Sequence, residues 1–197
     1  MRKEKKEELN SYIEEFKTKE KERINSPSFI KVETYQCTLN NGKIITRDKI
    51  LKGAKTGSAS IVLPITKEGN IVLTIQPRVF TKTTIGIAFP AGYREENESY
   101  EEAAKRELEE ETGYIAKEYI EVCSYYQDDG CSAALNHAFI ATDCEKKAHQ
   151  KLDSSEYIHY MEVTKEELEE LIKEGYICDG NSLLLYEKYK DWREKHV

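Results

Sequence analysis

Two apolar runs, Ser58–Ile65 and Ile71–Gln76, constrain this chain most. Each is nearly continuous in Val, Ile and Leu, so neither strand has a face suited to water. Strands of that kind lie inside a sheet that is covered on both sides. Lys67-Glu68-Gly69-Asn70 separates the two runs and reads as the turn of a hairpin. Further strands are predicted at Thr84–Phe89, Tyr119–Tyr126, His137–Ala141 and Tyr157–Val163, and Pro90-Ala91-Gly92 breaks the first of these. Helices fall between and after them. Ser99-Tyr100-Glu101-Glu102 is a capping box opening a helix that runs to Thr112, with Gly113 placed for a left-handed cap. Thr164-Lys165-Glu166-Glu167 opens a second helix that stops near Gly175, and a last helix covers Ser182–Lys195. The pattern predicts an α/β fold, a mixed sheet with helices on its faces.

The start of the chain reads differently. Residues 1–24 are dense in charge, and Leu9, Tyr12, Ile13 and Phe16 form one apolar stripe at helical spacing. The expected helix is ended by Asn25-Ser26-Pro27 and caps the fold through that stripe; packing on a partner subunit is the sharper alternative. From Phe29 the period changes to two, and Asn40-Asn41-Gly42 marks an antiparallel hairpin over about 29–51. Residues 1–55 are therefore expected to form an N-terminal helix plus hairpin ahead of a main domain at 56–197.

Acidic residues outnumber basic ones by 37 to 30, a net charge of −7. Long-range attraction to nucleic acid is thereby excluded as a driving force, so phosphate groups must be met locally by a cation or a few Arg and Lys. The five cysteines include no CxxC, which argues against a disulfide framework or a structural zinc. His137, His149, His159 and His196 show no metal spacing. No run approaches the ~18 apolar residues of a membrane span, and the expected location is the cytoplasm.

Chemistry concentrates on one helix. Glu107, Glu110 and Glu111 stand at i, i+3 and i+4, so a single face presents their carboxylates, with Glu109 nearby. They occupy the helix's last turns, where the macrodipole disfavours negative charge, and like charges at this spacing cost about 0.2–0.5 kcal/mol per pair. A segment that breaks two local rules marks a functional site more often than chance. A hard divalent cation reverses the sign of each of these interactions. Acidic pairs alone say little, because Glu7-Glu8, Glu14-Glu15 and Glu169-Glu170 also occur.

The frame around the glutamates is informative. Residues 92–114 read GYREENESYEEAAKRELEEETGY. Gly92, Glu98, Arg106, Glu107, Glu110, Glu111 and Gly113 fall on the fixed positions of G-x5-E-x7-R-E-U-x-E-E-x-G-U, with U a bulky apolar residue. At ordinary residue frequencies a random match is of order 10⁻⁸ per start position. The segment resembles the box of the Nudix hydrolases, with Tyr114 at a slot where an aliphatic is commoner. Gly92 allows close approach of backbone to ligand. Glu98 can reach over the helix start to Arg106 as a structural clamp, and Gly113 closes the box.

That resemblance implies an α/β/α sandwich and Mg²⁺-dependent hydrolysis of a nucleoside diphosphate linked to another moiety, with Mn²⁺ as a substitute ion. It implies metal ligation by Glu107, Glu110, Glu111 and a carbonyl at the loop start, Ala91 or Gly92. Outside the box, Gln76-Pro77-Arg78, Phe89-Pro90-Ala91-Gly92 and Glu156-Tyr157-Ile158 are similar to the ADP-ribose and ADP-sugar pyrophosphatase branch. That likeness implies a homodimer acting on a small nucleotide, with residues 1–55 as its dimerisation element and Glu156, or second Asp153, as a catalytic carboxylate. It places Arg78 on phosphate or ribose. Tyr35, Tyr125 and Tyr126 are candidates for stacking on a base, with core or interface packing as the alternative. Two other functions compete: pyrophosphatase action on nucleoside triphosphates or dinucleotides, and sensing of a nucleotide sugar without hydrolysis.

Overall fold

A computed structural model describes residues 1–52 and 56–196. The expected boundary between 55 and 56 abuts residues outside that range. The chain runs α1 (Lys3–Phe16), β1 (Ile30–Thr38), β2 (Ile44–Lys52), β3 (Ala59–Thr66), β4 (Ile71–Pro77), β5 (Ile85–Ala88) and β6 (Ala91–Tyr93). It continues through α2 (Tyr100–Thr112), β7 (Tyr114–Ile115), β8 (Glu118–Tyr126), β9 (Leu135–Lys146), β10 (His159–Val163), α3 (Lys165–Lys173) and α4 (Gly180–His196).

Eight of these strands share one sheet, whose path is β10-β4-β3-β9-β7, with β5 on β4, β6 on β3 and β8 on β9. Only the β3–β9 pair is parallel among the described strands, so the sheet is mixed. The two apolar runs lie at its centre, where Val62, Leu63, Ile71, Val72, Leu73 and Ile75 are fully buried. Side chains alternate between faces. Ile61, Leu63, Ile71, Leu73 and Ile75 meet Leu9, Leu168, Leu171, Leu185 and Tyr189 from α1, α3 and α4. Val62, Val72, Phe139 and Ala141 meet Ala104 and Leu108 of α2 on the opposite face. The result is the expected α/β/α sandwich, and it suspends α2 alone on one side of the sheet.

Both capping boxes form: Ser99 accepts from the Glu102 N–H, and Thr164 from the Glu167 N–H. Gly113 takes the left-handed conformation, φ 72°, that ends α2. Two expectations need correction. The first helix ends at Phe16, well short of Asn25, because the apolar stripe stops there and nothing pays for ordering beyond it. Pro90 does end β5, but Ala91–Tyr93 form a short strand, since β3 offers Ala59–Ile61 as a pairing edge. The two-residue β7 had no sequence signal of its own.

The stripe of α1 packs within this chain: Leu9 is 2% exposed, with Tyr12, Ile13 and Phe16 against the same core. His159 of β10 stacks between the rings of Tyr12 and Phe16, at 4.1 and 4.6 Å. The β1–β2 hairpin forms a separate two-stranded sheet, and all of β1 is exposed. Leu9→Ala is expected to lower stability by about 2–4 kcal/mol in urea unfolding. A loss below about 0.5 kcal/mol would show that α1 is a surface appendage.

Candidate active site

The loop that enters the site is fixed from behind. The Phe89 N–H donates to Ser182 Oγ at 3.1 Å, and the Val62 N–H to the Pro90 carbonyl at 2.9 Å. Ser182 is a buried polar residue whose role no motif announced. Gly92 then passes directly beneath the Glu107 side chain, and a Cβ on Gly92 would fall on that carboxylate. Gly92 is required for this close approach.

Arg106 binds the loop to the helix. Its Nε and Nη2 donate to the two Glu98 oxygens at 2.9 and 3.0 Å, and Nη2 also reaches the Tyr93 carbonyl at 3.0 Å. This hydrogen bonding draws the Glu98 carboxyl below its usual pKa and raises the Arg106 guanidinium. Arg106 does more than clamp. Its Nη1 lies 2.6 Å from Glu107 Oε1 and 3.1 Å from Glu110 Oε2, bridging two of the box carboxylates.

The third carboxylate turns elsewhere. Glu111 accepts from the Ala91 N–H at 3.1 Å. Glu107 and Glu111 are only 7% and 3% exposed, so both are carboxylates taken out of water. Burial is the main force raising each of their pKa values. The charges of Glu110 and Glu156 add to it at Glu107, and those of Glu107 and Glu156 at Glu111. Arg106 opposes the shift at Glu107. The Ala91 N–H and the charge of Arg78 oppose it at Glu111. The carboxylate cluster is thus short of positive charge.

A divalent cation suits this deficit. The donors are hard oxygens, and the space Gly92 leaves open already holds a carboxylate. The guanidinium between Glu107 and Glu110 shows that the pair accepts a cation. Among the described residues, no three acidic, His or Cys side chains converge into a ready-made cage. The reason is visible: Arg106 pulls Glu107 and Glu110 one way while the Ala91 N–H holds Glu111. Were all three to hold a cation, Glu107 and Glu110 would meet it in place of Arg106.

Of the outlying residues, Arg78 and Glu156 lie near enough for their charges to act on Glu111. Gly86 makes room for Arg78, whose Cγ would stand 2.6 Å from a Cβ there. Asp153 is exposed, and its N–H donates to Glu156 Oε2 at 3.0 Å. Tyr35 is not brought in. It lies on the exposed hairpin, bonded to Glu33 and with Lys49 over its ring. Two residues that spacing could not reveal seal the end of α2. Lys146 Nζ donates to the Thr112 carbonyl at 2.7 Å, and Gln150 Nε2 to the Glu111 carbonyl at 2.6 Å.

Burial makes Glu111 a stability cost without a cation. Its folded pKa lies above its unfolded value, so stability from this group is lost as pH rises from the ordinary carboxylate range through the folded value. Glu111→Gln keeps an acceptor for the Ala91 N–H and removes the charge. In chelator at pH 8 the variant is expected to melt higher than the wild type by roughly 3 °C, the shift that about 1 kcal/mol brings at this size. The gain should shrink toward pH 5; a variant no more stable at pH 8 would contradict the reading.

Comparison with known proteins places this geometry. The NUDIX domain family matches residues 55–183. An ADP-ribose pyrophosphatase of Bacillus subtilis (strain 168) is 34% identical over 169 residues, covering 85% of this chain and 89% of the relative. A methanol dehydrogenase activator of Bacillus methanolicus is 31% identical over 171 residues, covering 86% and 90%. A crystal structure of an ADP compounds hydrolase superposes with a TM-score of 0.73 at 17% identity, over 88% of this chain and 91% of the other. That likeness bears on the fold alone. With the box, the sandwich and these relatives in agreement, the chain belongs to the Nudix family and is a Nudix hydrolase.

Proposed function

We propose that this hydrolase cleaves the diphosphate linkage of a nucleotide sugar, ADP-ribose foremost, giving AMP and ribose 5-phosphate with Mg²⁺ as its ion. The observation that carries the proposal is the pair of buried carboxylates on one helix face, Glu107 and Glu111, the first meeting the Arg106 guanidinium and the second accepting from the Ala91 N–H. The relative named ADP-ribose pyrophosphatase, aligned over most of both chains, supports the substrate.

Glu107, Glu110, Glu111 and the Ala91 carbonyl would hold the cation. When bound, a divalent cation supplies charge neutralisation of the diphosphate and a more acidic water. The remaining work belongs to side chains. Arg78 binds the phosphate or ribose. Glu156 takes the proton of the attacking water, with one carboxylate oxygen held by the Asp153 N–H. Purified protein with Mg²⁺ is expected to release AMP and ribose 5-phosphate, shown by mass spectrometry. Glu111→Gln should cut turnover by two orders of magnitude or more, about the cost of losing one preorganised charged group. A panel of nucleotide sugars, dinucleotides and nucleoside triphosphates without Mg²⁺-dependent turnover would refute the proposal.

A homodimer through the hairpin belongs to the same reading. A lone two-stranded sheet is marginal in water, and this one exposes Ile30, Val32, Tyr35 and Ile44, with Phe29 exposed just before it. A second copy would cover that surface and carry Tyr35 toward a neighbouring pocket. Light scattering at micromolar concentration should give twice the chain mass, and Val32→Lys should give the monomer. A wild-type monomer would rule the dimer out.

A further inference from the structure

The segment between β9 and β10 carries Glu156, yet residues 147–158 contain no helix or strand to hold it in place. What fixes it is the C-terminal end of α2. The Lys147 and Ala148 N–H groups donate to the Gly113 carbonyl at 3.0 and 3.1 Å, and the Lys151 N–H to the Glu110 carbonyl at 2.9 Å. Gly113 allows this contact, because a Cβ there would fall on the Ala148 carbonyl. The carbonyls that a helix leaves unpaired at its end are thus satisfied by one loop.

Gln150 is the member that reaches both ways. Its amide nitrogen donates to the Glu111 carbonyl at 2.6 Å and to the Ile158 carbonyl at 2.9 Å. One bond ends on the residue whose carboxylate lies at the centre of the site. The other ends two residues beyond Glu156. The amide therefore ties the Glu111 backbone to the backbone two residues beyond Glu156. Asp153 completes the hold from within, its N–H on the Glu156 carboxylate and its carbonyl accepting from the Glu156 N–H at 2.9 Å. The amide has two N–H groups, and two carbonyls meet them.

We infer that Gln150 is a positioning residue for hydrolysis, holding Glu156 against the box carboxylates by cross-bonding the end of α2 to the far side of the loop. The inference rests on the role proposed for Glu156. A misplacement of about 1 Å in a reacting group can cost on the order of 100-fold in rate. Loss of the amide should therefore lower kcat while leaving the nucleotide's binding contacts in place.

The test is a double-mutant cycle on the full chain with ADP-ribose and Mg²⁺. Gln150→Met keeps length and volume and removes both donors; Gln150→Ala is the second variant. Far-UV circular dichroism and Mn²⁺ affinity confirm that each folds with its metal site. The expected result is a kcat about 10- to 100-fold lower with KM within about threefold. In the Glu156→Gln background, the Gln150 substitutions should add less than about twofold. Wild-type kcat in both Gln150 variants, with Glu156→Gln impaired, overturns the inference alone. Fully additive losses overturn it too, because Gln150 would then act by another route. A Glu156→Gln enzyme with wild-type kcat defeats the role given to Glu156, and the inference with it.

Discussion

The site depends on one guanidinium. Arg106 donates two hydrogen bonds to Glu98 and also donates to Glu107 and Glu110. Without it, the last turns of α2 would hold three carboxylates at the negative end of a helix, two of them buried. The partial exposure of Arg106 tempers the energy of these pairs, but their geometry is specific. The Glu98 bridge anchors the loop and leaves Nη1 free to meet Glu107 and Glu110. The same side chain thus serves as scaffold and as counter-charge.

Such an arrangement is unfavourable by local rules and persists because the surrounding fold over-determines it. The sheet is covered on both faces, and Ala104 and Leu108 tie α2 to it with no exposure. Ser99 and Glu102 satisfy the first turn, and Gly113, Lys146 and the 147–151 segment satisfy the last. With both ends and one face secured, α2 can present its remaining face as desolvated acid. Stability that the core supplies is thereby committed to a local charge imbalance that binding chemistry can use.

Much of this was legible in one dimension. The continuous runs at 58–65 and 71–76 required a sheet covered on both faces, and Ser99 and Gly113 bounded α2. The frame from Gly92 to Gly113 identified the acidic face, because short-range spacing on a helix converts directly into proximity. Spacing could not show that Arg106 also bridges Glu107 and Glu110, since rotamers answer to the whole charge environment. Nor could it pair Ala91–Tyr93 with β3, because that depends on what the distant chain offers as a partner.

The sequence by itself thus determined the fold class, the helix that carries the acids and the family, all of which follow from patterns within about 25 residues of one another. Only the tertiary structure decided how deeply Glu107 and Glu111 are buried and which backbone groups they meet. It alone joined Ser182 to Phe89, Gln150 to Glu111 and Ile158, and left Tyr35 apart from the site. The physical reason is the range of the interactions. Periodicity and capping are local and can be read along the chain, whereas desolvation and long-range hydrogen bonds exist only once the sheet has brought distant segments together.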